Sequence, residues 1–89
     1  EMTMTSNHIE KYKLISKAIK ENRIKKNLSQ KDLAEKLGIS KSYISKIEAP
    51  KSDKSFSLEL LFDISECLNI PLTELFKYLN SENDDKNKF

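Results

Sequence analysis

One glycine, Gly38, stands in the middle of an otherwise helix-forming run, QKDLAEKLGISKSYISKIE, from Gln30 to Glu48, and the chain contains no other. Two short helices joined by three or four residues must turn sharply. The residue just after the first helix then adopts φ > 0, which costs a residue with a Cβ roughly 1–2 kcal/mol and glycine almost nothing. Ala34, four residues earlier, is small enough to let two helix backbones approach closely. Ile39 fills the space beneath the turn, and Leu33, Leu37, Ile44 and Ile47 supply the apolar contact. A glycine alone would mean little, since many helices end in one. The whole spacing of small residue, turn glycine and apolar positions is that of a helix-turn-helix.

The rest of the chain reads as helices of the same kind. Tyr12, Ile15, Ala18 and Ile19 recur three or four apart, giving an amphipathic helix from Tyr12 to Lys26 with lysines on its other face. Asn27 is its stop, because Asn tolerates the left-handed conformation. Ser29 stands at an N-cap with Asp32 three residues on, a capping box with the shorter acid, and opens a helix over Gln30–Leu37. Ser40 caps the next helix, Lys41–Ala49, which ends before Pro50. Lys51 to Phe56 is a polar loop. Ser57 caps a fourth helix over 58–68, with Leu58, Leu61, Phe62, Ile64 and Leu68 inward, and Asn69 ends it. Pro71 opens a fifth, carrying an apolar stripe of Leu72, Leu75, Phe76 and Leu79. The expected architecture is all-α, a compact five-helix domain over residues 11–79. A flexible arm (1–10) precedes it, and a charged, disordered tail (80–89) follows it.

Composition narrows the function. Hydrophobic residues make up 37% of the 89, so the core is thin and a domain of this size is marginal alone. Cys67 is the one cysteine, which makes no internal disulfide or zinc site and suits a reducing cytoplasm. No apolar run approaches a membrane span, and no signal peptide is visible. One histidine (His8, in the arm), one cysteine and no acids at metal spacing leave no catalytic constellation to name. No enzyme, cofactor or metal is expected, and Cys67 reads as a small buried hydrophobe. Charge is uneven: the first fifty residues carry 11 basic and 6 acidic side chains, the remainder 5 and 8. An anionic partner would meet the basic half.

The stretch LSQKDLAEKLGISKSYISKIE resembles the phage repressor and Cro-like helix-turn-helix family of DNA-binding transcription regulators. SLELLFDISECLNIPLTELF is similar to that family's fourth and fifth helices, so the resemblance spans about residues 12–79. The chain departs from the pattern in three places. Glu48-Ala49-Pro50 replaces the usual Glu-Asn-Gly turn. The loop KSDKSF is long and lacks a proline before the fourth helix. Asn22 stands where the first helix normally carries an apolar residue.

The resemblance makes Lys41–Ala49 the recognition helix, entering the major groove, and aligns Lys41, Ser42 and Lys46 with positions that read base edges. Their chemistry fits: lysine donates to guanine O6 and N7, and serine donates or accepts. Tyr43 and Ser45 share the outer face and would reach bases or phosphates. Gln30 opens the second helix, where a helix N-terminus favours anions, and it matches a common family contact to phosphate. Lys31, Lys51 and Lys54 are further phosphate candidates. The resemblance also implies an ion pair between Arg23 and Glu48 that fixes the recognition helix's angle, a structural role shared with Gly38 and Ala34.

The expected function is sequence-specific binding of double-stranded DNA by a homodimer on a palindromic operator, as a repressor or controller-type regulator. Phe76, Tyr78 and Leu79 are the expected dimer contacts. A complete small regulator and the DNA-binding part of a longer chain both fit. The rival reading is an antitoxin or adaptor-type module that uses the same fold to hold a protein partner.

Overall fold

The computed structural model describes residues 6–51 and 54–79, and the regular structure among them is helical. The elements are α1 (Ser6–Lys25), α2 (Gln30–Leu37), α3 (Lys41–Glu48), α4 (Leu58–Leu68) and α5 (Leu72–Leu75). The expected all-α helix-turn-helix architecture is what folds. Helix α1 packs against α3, α4 and α5, while α2 lies against α3 and α4.

Local chemistry sets the boundaries. The hydroxyls of Ser29, Ser40 and Ser57 each accept from the N–H three residues on, at 2.9, 3.1 and 3.1 Å. At α2 the capping box is complete, since the Ser29 N–H also donates to Asp32 Oδ2 at 2.9 Å. Three helices end in one and the same way. Asn27, Gly38 and Asn69 adopt left-handed backbone, at φ 60°, 73° and 57°. In each case the next residue's N–H returns to a carbonyl five positions back: Leu28 to Arg23, Ile39 to Ala34, Ile70 to Ser65. This is the Schellman closure, which satisfies carbonyls that a helix end would otherwise leave unpaired.

The core gathers Ile15, Ala18 and Ile19 of α1, Leu33 and Ala34 of α2, Ile44 and Ile47 of α3, Leu61, Ile64 and Leu68 of α4, and Leu75 of α5. Phe56, expected in a polar loop, is buried with them and meets Tyr12 edge to face, 5.0 Å between centroids. It precedes the Ser57 cap and stands five residues before Leu61, the arrangement of a hydrophobic staple between N′ and N4.

Several boundaries differ from expectation. Helix α1 begins at Ser6, so residues 6–10 belong to the helix instead of the arm. No glycine or proline interrupts this segment, and half-buried Ile9 extends the apolar stripe one turn before Tyr12. Residues 1–5 of the expected arm and the expected tail 80–89 lie outside the described residues. Helix α3 ends at Glu48, with Ala49 in extended backbone ahead of Pro50. Helix α5 does not run through to Leu79. It closes at Phe76, whose N–H bonds to Thr73 three residues back, and helical backbone resumes over 77–79. Leu58 and Phe62 were expected inward but are 54% and 39% exposed. They lie four apart on one stripe, and α4 turns the neighbouring stripe of Leu61, Ile64, Ser65 and Leu68 to the core. Cys67 is half-buried, and that partial burial pushes its thiol pKa up.

Candidate nucleic-acid interface

The turn between α2 and α3 is built as its glycine requires. Gly38 has φ 73°, and a Cβ there would meet nothing within 4 Å. The glycine is therefore needed for its backbone conformation and not for space. Ala34, 2% exposed, lies in the core that α2 and α3 share.

This packing divides α3 into two faces. Ile44 and Ile47 are buried, while Lys41, Ser42, Ser45 and Lys46 are exposed. The four form an outward face with two cations and two hydroxyls. Tyr43 is half-buried, its ring leaning on the core. Helix α3 contains one acid, Glu48, and that carboxylate is turned inward.

Arg23 of α1 holds it there. Its Nε donates to Glu48 Oε2 at 2.9 Å and its Nη2 to Oε1 at 2.8 Å, a two-pronged bond between planar groups. The remaining prong, Nη1, donates to the Leu28 carbonyl at 2.7 Å. Gln30, expected as a phosphate contact, also reaches this pair: its Nε2 donates to Glu48 Oε1 at 3.1 Å. The side chain thus ties the start of α2 to the end of α3. By helix geometry the N–H groups of Gln30 and Lys31 have no intrahelical acceptor, so they keep the anion-binding capacity of a helix start. Lys31, Lys51 and Lys54 are exposed at the second helix and the loop.

Asn22 explains one departure from the family pattern. The side chain is 3% exposed, and its Nδ2 donates to the Ala18 carbonyl at 2.8 Å and to Glu74 Oε2 at 3.3 Å. Glu74 also accepts from Lys77 Nζ at 3.0 Å. That bond first, and the Asn22 amide second, hold the Glu74 carboxyl below its ordinary value, while the Glu74 bond raises Lys77. A polar tie thus replaces an apolar contact between α1 and α5. Sequence reasoning passed over it because Glu74 lies 52 residues from Asn22 and nothing local marks the pair.

The three residues expected at a dimer contact are half-buried and pack against the core. Tyr78 is the most engaged. Its hydroxyl donates to Glu21 Oε1, which pushes the phenol pKa up, and Lys17 Nζ lies 4.4 Å from its ring centroid. Phe76 and Leu79 instead line an open apolar groove, together with Ile15, Phe56 and the exposed Leu58.

No helix among the described residues is long and apolar enough to cross a membrane. No curated protein matches the chain. A helix-turn-helix family model does, over residues 19–75, from the buried half of α1 to the end of α5. That span includes the Gly38 turn, the outward face of α3 and the Arg23–Glu48 pair, and it covers well over half of the chain. The chain belongs to the phage repressor and Cro-like helix-turn-helix family of DNA-binding proteins.

Proposed function

We propose that this protein is a sequence-specific regulator of transcription that inserts α3 into the major groove of double-stranded DNA. The observation that carries this reading is the division of α3. Lys41, Ser42, Ser45 and Lys46 project outward while the helix's one carboxylate is buried against Arg23. The exposed face is therefore cationic and rich in donors, matched to guanine edges and to the phosphates that flank the groove. Lys41, Ser42 and Lys46 read bases. Tyr43 and Ser45 contact bases or phosphates. Gln30, Lys31, Lys51 and Lys54 contact the backbone.

The test is selection of sites from random duplex DNA at a fixed, stated salt concentration, because affinity depends steeply on salt. Lys41→Ala and Lys46→Ala should each weaken binding to the selected site by about 1–3 kcal/mol, with far less loss on random duplex. Equal losses on both would move that lysine to the phosphate class, and the absence of any enriched sequence would refute specific reading.

The functional unit is a homodimer. One recognition helix reads only a few base pairs, and a two-fold pair doubles the readout on a palindromic operator with half-sites about 34 Å apart. The apolar groove at Phe76, Leu79 and Leu58 supports a contact there. Sedimentation at micromolar concentration should show a dimer that Phe76→Asp and Leu79→Asp dissociate. A dimer indifferent to both places the contact elsewhere.

A further inference from the structure

Three lysines of α1, Lys13, Lys17 and Lys20, recur at intervals of four and three residues and so share one face of the helix. That face borders a cavity of about 200 Å3. The opposite wall is the end of α3 and the residues just after it, with Lys54 from the loop at the rim. Ser16 lies on the same stretch of α1 and adds a hydroxyl. Among the described residues that line it the one acid is Glu48, whose side chain is 2% exposed and whose charge Arg23 matches through two hydrogen bonds. Lysines thus predominate among the charged residues described around this concavity.

A concave surface lined by one sign of charge focuses its field and concentrates counter-ions. The ligand it suits is an anion, and the volume admits a phosphate group. Ile47 and Glu48 of the last turn of α3 form one wall, so the cavity adjoins the end of that helix and the residues that follow it. Lys17 also lies over the Tyr78 ring, which leaves Lys13 and Lys20 as the better-placed cations.

We propose that this cavity seats a backbone phosphate of the bound duplex, beside the bases that α3 reads, with Lys13 and Lys20 as its cationic contacts and the Ser16 hydroxyl as a donor. The proposal rests on DNA binding through α3 and extends the footprint from the helix-turn-helix to the lysine face of α1. It predicts a sequence-independent contribution, because phosphate contacts position a protein without reading bases.

The experiment compares wild type, a Lys13→Gln/Lys20→Gln double variant and a Lys25→Gln/Lys26→Gln control. The control removes the same charge from the end of α1, outside the cavity. Binding is measured on the selected operator and on random duplex across a salt series, with unfolding midpoints checked in parallel. The Lys13/Lys20 variant should lose affinity about equally on both DNAs, by about tenfold near 0.1 M salt. Its salt slope should fall by about two, as expected for two lost phosphate contacts. The control should lose clearly less. Unchanged affinity and slope, or equal losses in the two variants, would overturn the proposal while leaving α3 recognition intact. Titration with inorganic phosphate and pyrophosphate separates the other source of the same chemistry. Saturable binding that depends on Lys13 and Lys20, with duplex affinity unaffected by their loss, would assign the cavity to a free anion and overturn the proposal. A wild-type protein that binds no duplex at all would overturn both this inference and the reading beneath it.

Discussion

Arg23 and Glu48, 25 residues apart in sequence, face each other through two hydrogen bonds of 2.9 and 2.8 Å with side chains only 8% and 2% exposed. The pair fixes the end of α3 to α1, and the third guanidinium prong fixes α1 to the connection before α2. Removing one member leaves the other charged, buried and unpaired. Glu48→Ala should therefore destabilise the free protein by about 3–5 kcal/mol in urea or thermal unfolding. A double-mutant cycle with Arg23→Ala should show strong coupling, and independent losses would remove the pair from this role.

Gly38→Val isolates backbone strain from crowding. A Cβ at this position meets nothing within 4 Å, so the penalty comes from φ 73°. Valine should cost at least about 1–2 kcal/mol, and Gly38→Asn clearly less, since Asn enters the left-handed region more readily. Asn27 and Asn69 already do so in this chain. An unchanged midpoint for the valine variant would mean that the turn relaxes to another conformation.

Asn22→Ala should lose about 1–3 kcal/mol, because it deletes two hydrogen bonds and leaves space in a buried site. Asn22→Leu is close in volume and leaves Glu74 paired with Lys77, so it should recover much of that loss. A leucine variant less stable than the alanine variant would make the amide itself the essential tie between α1 and α5. Chemical denaturation of the three proteins side by side decides this.

Acid should weaken the fold through identifiable carboxylates. The Ser29 backbone N–H first, then the Ser29 hydroxyl, hold Asp32 below its ordinary value of 3.8. Lys77 and then Asn22 hold Glu74 below 4.5. With both pKa values depressed by folding, the unfolded chain binds more protons in this range. The stabilisation is complete above the ordinary carboxylate values and is lost as pH falls through the folded ones. Asp32→Asn should be less stable than wild type near neutrality, and the difference should shrink on acidification below about 4. A difference that stays constant with pH would take the carboxylate's charge out of the capping box.

What local chemistry governs can be read from the residues in order. Ser29, Ser40 and Ser57 cap helices, and Asn27, Gly38 and Asn69 end them, because each acts on backbone groups within five residues. The spacing around Gly38 gave the helix-turn-helix, and the alternation along α3 gave its outward lysines and serines. The rest follows from packing, because the contacts that settle it join distant segments. Phe56 looked like part of a polar loop until Tyr12 supplied a ring to pack against. Leu58 and Phe62 fit an apolar stripe equally well on paper, and the placement of α1 and α2 selected the neighbouring stripe for the core. Gln30 carried a phosphate-binding signal, but its hydrogen bond to Glu48 arises only when α2 and α3 are packed together. Asn22 looked out of place until folding brought Glu74 to it. A buried polar group is tolerated according to the partner it meets, and a linear pattern records the group without its partner.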